Sequence, residues 1–480
     1  MRNHAICVRG ALGLMAAGIG AAALWALPAG SARAQTLADA LVAAYQTNPT
    51  LQIGRAQLKQ ADERVAQARS ELLPDVTATV TGTVSSDGAA ETFRNADRDF
   101  RPDASVDARI TGTVTLWSGG RNPANIASAI ASVMAARARL TSIEQDVLLG
   151  AVTAFMDVRR DLQFVTLARN NVRVNGELLR ATRDRFEVGE VTRTDVSQAE
   201  AALAAARANL AQNTGALAQS RARFLSVVGL EAKDLAPPPP APDLPGTLAE
   251  AEAIAMREHP ALIAARHAEE AAMHDVELAR AGLNPILTLT GSVFYQRQLP
   301  LVRQRFSADN AGAEIQLQLQ VPLYRGGELS SLIRQAQALV EQRKSETQDT
   351  ARSIRQAVQS AWSALEVARA SIRSNGEQVR AQELAFQGVV EEAKFGQRTT
   401  LDVLEAEQFL LQARSNLVAA QRDAYVAAYN LLSAMGLLTV AHLGLNVTPY
   451  DPTVNYDMAV QNRPDPEGLR LERILDRWGR

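Results

Sequence analysis

The feature that most constrains this chain is an internal duplication. Segment 36–40 (TLADA) recurs as 247–251 (TLAEA), and segment 116–120 (LWSGG) recurs as 323–327 (LYRGG). The second match has a spacing of 207 residues, which also places Asp195 opposite Asp402. Because each repeat of a tandem duplication builds the same kind of unit, the fold must contain two related halves.

The duplication predicts an order of segments along the chain. A stretch rich in proline separates the two copies and is typical of an extended linker. The predicted segments are a signal peptide (1–34), a first repeat (35–235), the linker (236–246), a second repeat (247–440) and a C-terminal tail (441–480).

The N-terminus has the pattern of a secretory signal peptide. Arg2 and Arg9 precede an apolar run at 11–27, and 32–34 (ARA) offers a cleavage site before Gln35. The alternative is a membrane anchor, but the run is shorter than the roughly 20 residues that span a bilayer. Cys7, the only cysteine, lies inside this peptide, so the mature chain has no disulfide or thiolate chemistry.

Composition supports an envelope protein built largely from helices. Hydrophobic residues make up 47% of the chain but aromatic residues only 5%, which favours closely packed helices rich in alanine and leucine. The chain has 50 basic and 52 acidic residues. Loss of the three arginines of the signal peptide leaves the mature chain acidic, so we expect no nucleic-acid partner.

Each repeat contains two segments in which apolar and polar residues alternate. They predict strands near 76–86, 105–117, 286–296 and 312–323. Alternation over about ten residues is typical of a transmembrane barrel, with the apolar side toward lipid and the polar side toward a lumen. A single such strand fits a soluble sheet equally well. Trp117 and Tyr324 occupy equivalent ends, where the aromatic residues of a membrane interface are expected.

Four strands are too few to close a barrel. An open edge in lipid leaves backbone groups unpaired at a cost of several kcal/mol each, so the barrel must be shared between chains. Two chains would give eight strands and a filled interior, whereas three would give twelve strands and a lumen.

Long helices account for most of the remaining sequence. Apolar residues with coiled-coil spacing predict one helix from about 122 to 187, which is about 100 Å long at 1.5 Å per residue. A second is predicted at 327–394. Shorter helices are predicted at 48–72, 191–228, 260–282 and 397–435. Taken alone, the helices also fit a coiled-coil stalk or adhesin of the cell envelope.

Together these residues resemble the TolC family of outer-membrane channels. The resemblance rests on the two halves, the LWSGG and LYRGG turns, and the helix tips at 186–196 (FEVGEVTRTDV) and 395–405 (FGQRTTLDVLE). It implies a homotrimer with a twelve-stranded transmembrane β-barrel above a twelve-helix periplasmic α-barrel. It also implies docking to an inner-membrane pump or ABC exporter through a periplasmic adaptor, for drug efflux or type I protein secretion. Ala393 departs from the tyrosine of the family prototype.

The helix tips are the predicted gate. Asp402 and Glu405 are three residues apart on one helix face, so a trimer would hold six carboxylates in a cation-selective constriction. Arg398 is close enough in sequence to reach a neighbouring tip at Thr194 and Asp195 and to hold it shut, as the resemblance also implies. The alternative is that these are ordinary solvated charges at helix ends.

Enzyme and metal functions have little support in the sequence. The chain shows no nucleophile–base pattern, phosphate loop or dinucleotide motif, so we expect neither an enzyme nor a cofactor. His267, Glu270 and His274 share a helical face, which fits a solvated surface better than a metal site. A periplasmic adaptor, the other competing class, would need a soluble β-domain. Loops 85–105 and 296–311 are expected to face the outside, and a short helix is predicted near 469–478.

Overall fold

The structure is a computed structural model that describes residues 34–86, 102–300 and 309–461. The chain divides into residues 1–34 and 35–480, and the fold below is that of the second unit. Residues 1–33 of the predicted signal peptide and the predicted helix near 469–478 lie outside the described residues, as do residues 87–101 and 301–308 of the two loops predicted to face the outside.

The described residues form nine helices and four strands. The first half contains α1 (Leu37–Thr47), α2 (Pro49–Ser70), β1 (Asp75–Ser86), β2 (Pro102–Trp117), α3 (Arg121–Glu187) and α4 (Arg193–Val228). The second half contains α5 (Leu248–Glu258), α6 (Pro260–Ala281), β3 (Ile286–Pro300), β4 (Asp309–Gln320), α7 (Glu328–Lys394), α8 (Thr400–Ala434) and α9 (Thr453–Val460).

Equivalent local signals start the helices of both halves. Asn48 caps α2 by accepting a hydrogen bond from the backbone N–H of Thr50 at 2.9 Å, and a proline occupies the first helical position. His259 does the same for α6 through Nδ1, at 3.2 Å from the backbone nitrogen of Ala261. Both long helices follow a glycine in the left-handed region, which lets the chain turn sharply from strand to helix.

The four strands form one antiparallel sheet in the order β1-β2-β3-β4. The central pair joins the two repeats, with Ile110 opposite Val293. On the polar face Arg109 donates a hydrogen bond to Ser292 Oγ at 3.1 Å. The other face is apolar and open: Val80 is 76% exposed and Ile315 is 82% exposed. An uncovered apolar sheet face of this kind is expected where lipid is the surrounding medium.

Strand β4 ends three residues before its predicted end. Gln320 still pairs with Ile286, the first residue of β3, so no partner strand is left for residues 321–323. Pro322 also lacks the N–H that would continue a ladder. Tyr324 therefore lies in the connection to α7 rather than in a strand.

The helices form a wall whose order follows that of the strands. α3 contacts α2 and α6 in one half of its length and α4 and α8 in the other, and α7 packs against α6 and α8. At the sheet end, Asn122 at the start of α3 donates a hydrogen bond to the backbone oxygen of Glu71 at 3.2 Å. Pairs of shorter helices thus stack along each of the two 67-residue helices.

The hydrophobic core surrounds the middle of α3. There α1, α5 and the segments that flank α9 pack on the wall, and Leu148, Leu432 and Leu438 are fully buried. The rings of Phe155 and Phe224 lie 6.4 Å apart between centroids. Burial of each such side chain contributes about 1.5–3 kcal/mol, so this cluster stabilises the middle of the wall.

Candidate functional site at the helix tips

Two short turns lie at the end of the wall farthest from the sheet. One joins α3 to α4 and the other joins α7 to α8, and each contains a glycine in the left-handed region: Gly189 at φ 81° and Gly396 at φ 75°. Arg185 at the end of α3 donates a hydrogen bond to the carbonyl oxygen of Ala393 at 3.4 Å. The fold therefore brings the two tips of one chain into contact, and the residue at the position of the family tyrosine contributes its backbone to that contact.

Asp402 and its equivalent Asp195 have the same local role. The Oδ2 atom of Asp402 accepts hydrogen bonds from the backbone nitrogen of Thr399 at 2.8 Å and from its hydroxyl at 2.9 Å. Asp195 accepts the same bonds from Thr192, at 2.8 and 2.7 Å. These reciprocal capping boxes fix the start of α8 and of α4. The hydrogen bonds from the threonines hold the pKa of both carboxyl groups below the usual value.

Within one chain Arg398 is paired with Glu392. Its Nε lies 2.7 Å from Glu392 Oε2, and this hydrogen-bonded carboxylate raises the pKa of the guanidinium. Thr194 is exposed, and Asp195 is engaged by its capping threonine. Within one chain, then, the arginine is held by the end of its own α7, and its predicted contact with Thr194 and Asp195 stays a prediction about neighbouring chains.

Glu405 lies one turn beyond Asp402 on α8 and is exposed. It has no hydrogen-bond or ion-pair partner among the described residues, so its carboxylate is free to face ions or a second chain. Asp402 and Glu405 thus share a face but differ in role, because only the former is bound into a cap.

The sequence analysis missed a buried carboxyl group close to the helix tips. Glu407 is only 7% exposed between α8 and α3, and its Oε1 accepts a hydrogen bond from Asn171 Nδ2 at 3.2 Å. Burial raises the pKa of this carboxyl group. Glu200, its equivalent in the first repeat, is instead exposed and paired with Arg183. The position of Glu407 beside Ala406 and Leu410, on the apolar face of α8, could have predicted that this carboxyl group is buried.

The two predicted interface aromatics lie near the junction of sheet and wall. Trp117 ends β2 and is 50% exposed, while Tyr324 follows β4 and is 86% exposed. Both side chains are therefore exposed at the boundary between the apolar sheet face and the helices.

His267 and Glu270 form a local pair, with Nδ1 2.9 Å from Oε2. No group of three or more histidine, cysteine, aspartate or glutamate residues that could hold a metal ion occurs in the part of the chain that the structure describes.

An open apolar sheet that continues into a wall of helices about 100 Å long defines the class of outer-membrane channel subunits. The chain belongs to the outer membrane efflux protein family, whose profile matches residues 40–230 and 253–437. It is a protein of the outer membrane that extends into the periplasm. Members of this family are channels rather than enzymes.

Individual relatives agree with this assignment. The chain is 37% identical over 432 residues to the outer membrane efflux protein BepC of Brucella suis, covering 89% of this chain and 91% of the relative. It is 27% identical over 450 residues to the alkaline protease secretion protein AprF of Pseudomonas aeruginosa, covering 90% and 91%. The structure of the outer membrane protein VceC of Vibrio cholerae shares the fold, with a TM-score of 0.67 at 22% identity over 83% of this chain and 96% of that chain.

Proposed function

We propose that the chain is one subunit of a trimeric exit duct through the outer membrane, opened at its periplasmic helix tips. The supporting observation is that the sheet and the wall have open edges on the same two sides. β1 and β4 each have one strand neighbour among the described residues, and α7 lies at one end of the wall with α2 and α4 at the other.

Edge strands and edge helices of this kind can all find partners if several copies form a closed ring. β4 of one copy can pair with β1 of the next, a head-to-tail contact that closes by rotation. Three copies give a shared barrel of twelve strands with a lumen, continued by a twelve-helix tunnel. Each subunit would contribute two repeats, 35–235 and 247–440, joined by the linker at 236–246 and preceded by a signal peptide at 1–34. Trp117 and Tyr324 would then anchor the ring at the periplasmic surface of the bilayer.

The cargo route is proposed from the relatives. BepC is named for efflux and AprF for secretion of a protease. The proposed partners are therefore a periplasmic adaptor together with an inner-membrane pump or an ABC exporter. In either system this chain would act as the duct, with cargo selection in the inner membrane.

The direct test measures oligomeric mass and planar-bilayer conductance on one detergent-purified sample. We expect a trimer that gives small, cation-selective currents. A soluble monomer or dimer without conductance would overturn the proposal and favour the envelope stalk.

We further propose that Asp402 and Glu405 form the carboxylate rings that select cations. Glu405→Gln removes a charge without removing any hydrogen bond described in the chain, and Asp402→Asn removes the second charge. Each substitution should shift the reversal potential in a KCl gradient toward zero. Thr399→Ala is the matched control, because it breaks the cap and keeps both charges. A reversal potential that changes with Thr399→Ala but not with Glu405→Gln would show that the cap, not the charge, matters.

The latch is proposed to form between neighbouring chains, where Arg398 would meet Thr194 and Asp195. Arg398→Ser should raise the resting conductance of the closed channel. Glu392→Gln is the control, because it releases the arginine from its partner and keeps the cation. A closed-state conductance unchanged by Arg398→Ser would exclude the latch.

A further inference from the structure

The wall carries a basic groove on the side opposite to the C-terminal tail. The tail covers one face, where the guanidinium of Arg55 lies 5.1 Å from the ring centroid of Tyr450 and that of Arg137 lies 5.0 Å from that of Tyr456. The groove has a volume of about 480 Å³ and is lined by residues of α2, α3, α6 and α7. Seven of its sixteen lining residues are glycine or alanine, so the longer side chains dominate its chemistry.

The shape of the groove indicates which side of the tunnel it faces. It reaches residues from all four adjacent helices of the wall, from Gln57 on α2 to Leu339 on α7. In the proposed closed ring the wall is curved, and a surface that meets its first and fourth helices at once lies on the concave side. In a closed ring the concave side is the lumen, so this step rests on the proposed function.

The charge of the groove is positive. Arg64, Arg139 and Arg343 line it together with one acid, Asp275, giving a formal charge of +2 in each chain. Asp275 accepts a hydrogen bond from Ser128 Oγ at 2.7 Å.

Two of the arginines are not neutralised locally. Arg343 lies 2.8 Å from Glu346 on its own helix. Arg64 and Arg139 have no carboxylate within ion-pair distance in the described residues, and both are exposed. Guanidinium groups bind phosphate and carboxylate oxygens in a bidentate manner, and a cleft lined by one sign of charge concentrates ions of the other.

We propose that the groove is a luminal binding site for anionic groups, namely the phosphates or carboxylates of molecules that pass through the tunnel. Three copies would place nine arginines around the lumen, between the sheet and the acidic tips. Cargo with anionic groups would meet this band after it has crossed the tip.

The test is the block of single-channel current by tripolyphosphate, a compact polyanion, at about 0.1 M KCl, where charge is screened over about 10 Å. The triple variant Arg64→Gln, Arg139→Gln, Arg343→Gln should raise the half-blocking concentration at least about tenfold, the change that corresponds to 1.4 kcal/mol. The matched control is the triple variant Lys59→Gln, Arg334→Gln, Arg352→Gln, which removes three exposed charges outside the groove. Tripolyphosphate should block this variant at the same concentration as wild type.

Two further variants keep the test decisive. If the glutamine triple fails to assemble, Arg64→Gln and Arg139→Gln alone should each raise the half-blocking concentration several-fold. The corresponding lysine triple keeps the charge but loses the bidentate geometry, so its half-blocking concentration should lie between those of wild type and the glutamine triple. A conducting channel that is not blocked, or is blocked equally in the groove and control variants, would overturn the proposal that the groove binds anionic groups. A trimer without any conductance would instead contradict the proposed function.

Discussion

At the scale of single residues, Gly436 shows how closely the second repeat is packed. It lies two residues after the end of α8 at φ +82°, and a Cβ added there would lie 2.6 Å from the Cα atom of His259 and 3.0 Å from the carbonyl oxygen of Glu258. Both neighbours are backbone atoms and cannot move aside cheaply. The duplication already pointed to this position, because Gly229 is its equivalent and also has a positive φ.

Gly436→Ala should therefore destabilise the protein by about 1–3 kcal/mol, from left-handed strain and a backbone clash together. The measurement is the unfolding temperature of the purified oligomer. Gly376→Ala is the control: this glycine lies inside α7 with nothing within 4 Å of an added Cβ, so alanine should be neutral or stabilising by up to about 1 kcal/mol. Equal effects of the two substitutions would contradict this account.

The hydrogen-bond partners of single residues could not be predicted from the sequence. Residue types and helix periodicity suffice to place Asp402 and Glu405 on one face. They do not show that Asp402 is bound to Thr399, although the spacing of a capping box was present in the sequence. Nor do they show that Arg398 finds Glu392 within its own turn, because the fold of that turn decides which carboxylate is near.

At the scale of elements, the lengths and ends of the helices could be predicted from the sequence. The long helix expected at 122–187 is α3 over Arg121–Glu187, because its one proline lies in the first turn and its two internal glycines are isolated from each other. The ends of the strands were predicted less well. β3 extends to Pro300 because β2 continues opposite it, whereas β4 stops at Gln320 where β3 begins. Strand length depends on the partner strand, which a single segment does not reveal.

α8 carries two carboxyl groups that should respond to pH in opposite directions. The pKa of Asp402 is lowered by its cap, so the stability it gives is complete above the ordinary pKa, near 3.8, and is lost as pH falls below it. The pKa of Glu407 is raised by burial, so its contribution is complete below the ordinary value of 4.5 and is lost as pH rises through the raised value.

Hydrogen exchange of α8, corrected for intrinsic rates, should separate the two effects. As pH falls from neutral toward the ordinary value of 4.5, amides near Glu407 should become better protected while those at 399–403 stay unchanged. Below about pH 4 the tip amides should lose protection. Glu407→Gln should abolish the first change and leave the second. A single trend shared by both sites would contradict the assignment.

At the scale of the whole molecule, the two open edges predict which strands meet between chains. Within one chain β1 and β4 are three strand spacings apart, about 14 Å, beyond the roughly 7 Å limit for a disulfide. Cysteines at Thr79 on β1 and at Gln316, Gln318 or Gln320 on β4 can therefore link only different copies. At least one pair should give a covalent ladder that ends at the trimer on a denaturing gel.

Thr113→Cys with Thr290→Cys is the matched control. These residues face each other on β2 and β3, with hydroxyl oxygens 3.5 Å apart, so their link should form inside one chain and give no ladder. Oxidation that links this control pair but none of the edge pairs would exclude ring closure through β1 and β4.

The pairing of β2 with β3 also bears on how the protein matures. Ile110 meets Val293, so the first hairpin keeps an unsatisfied edge and an exposed apolar face until nearly two hundred further residues have been exported. Contacts so distant in sequence form late, because the closure of a long loop comes first. During that interval the unpaired edge makes the hairpin prone to aggregation, so we expect its maturation to depend on protection in the periplasm until β3 pairs with it.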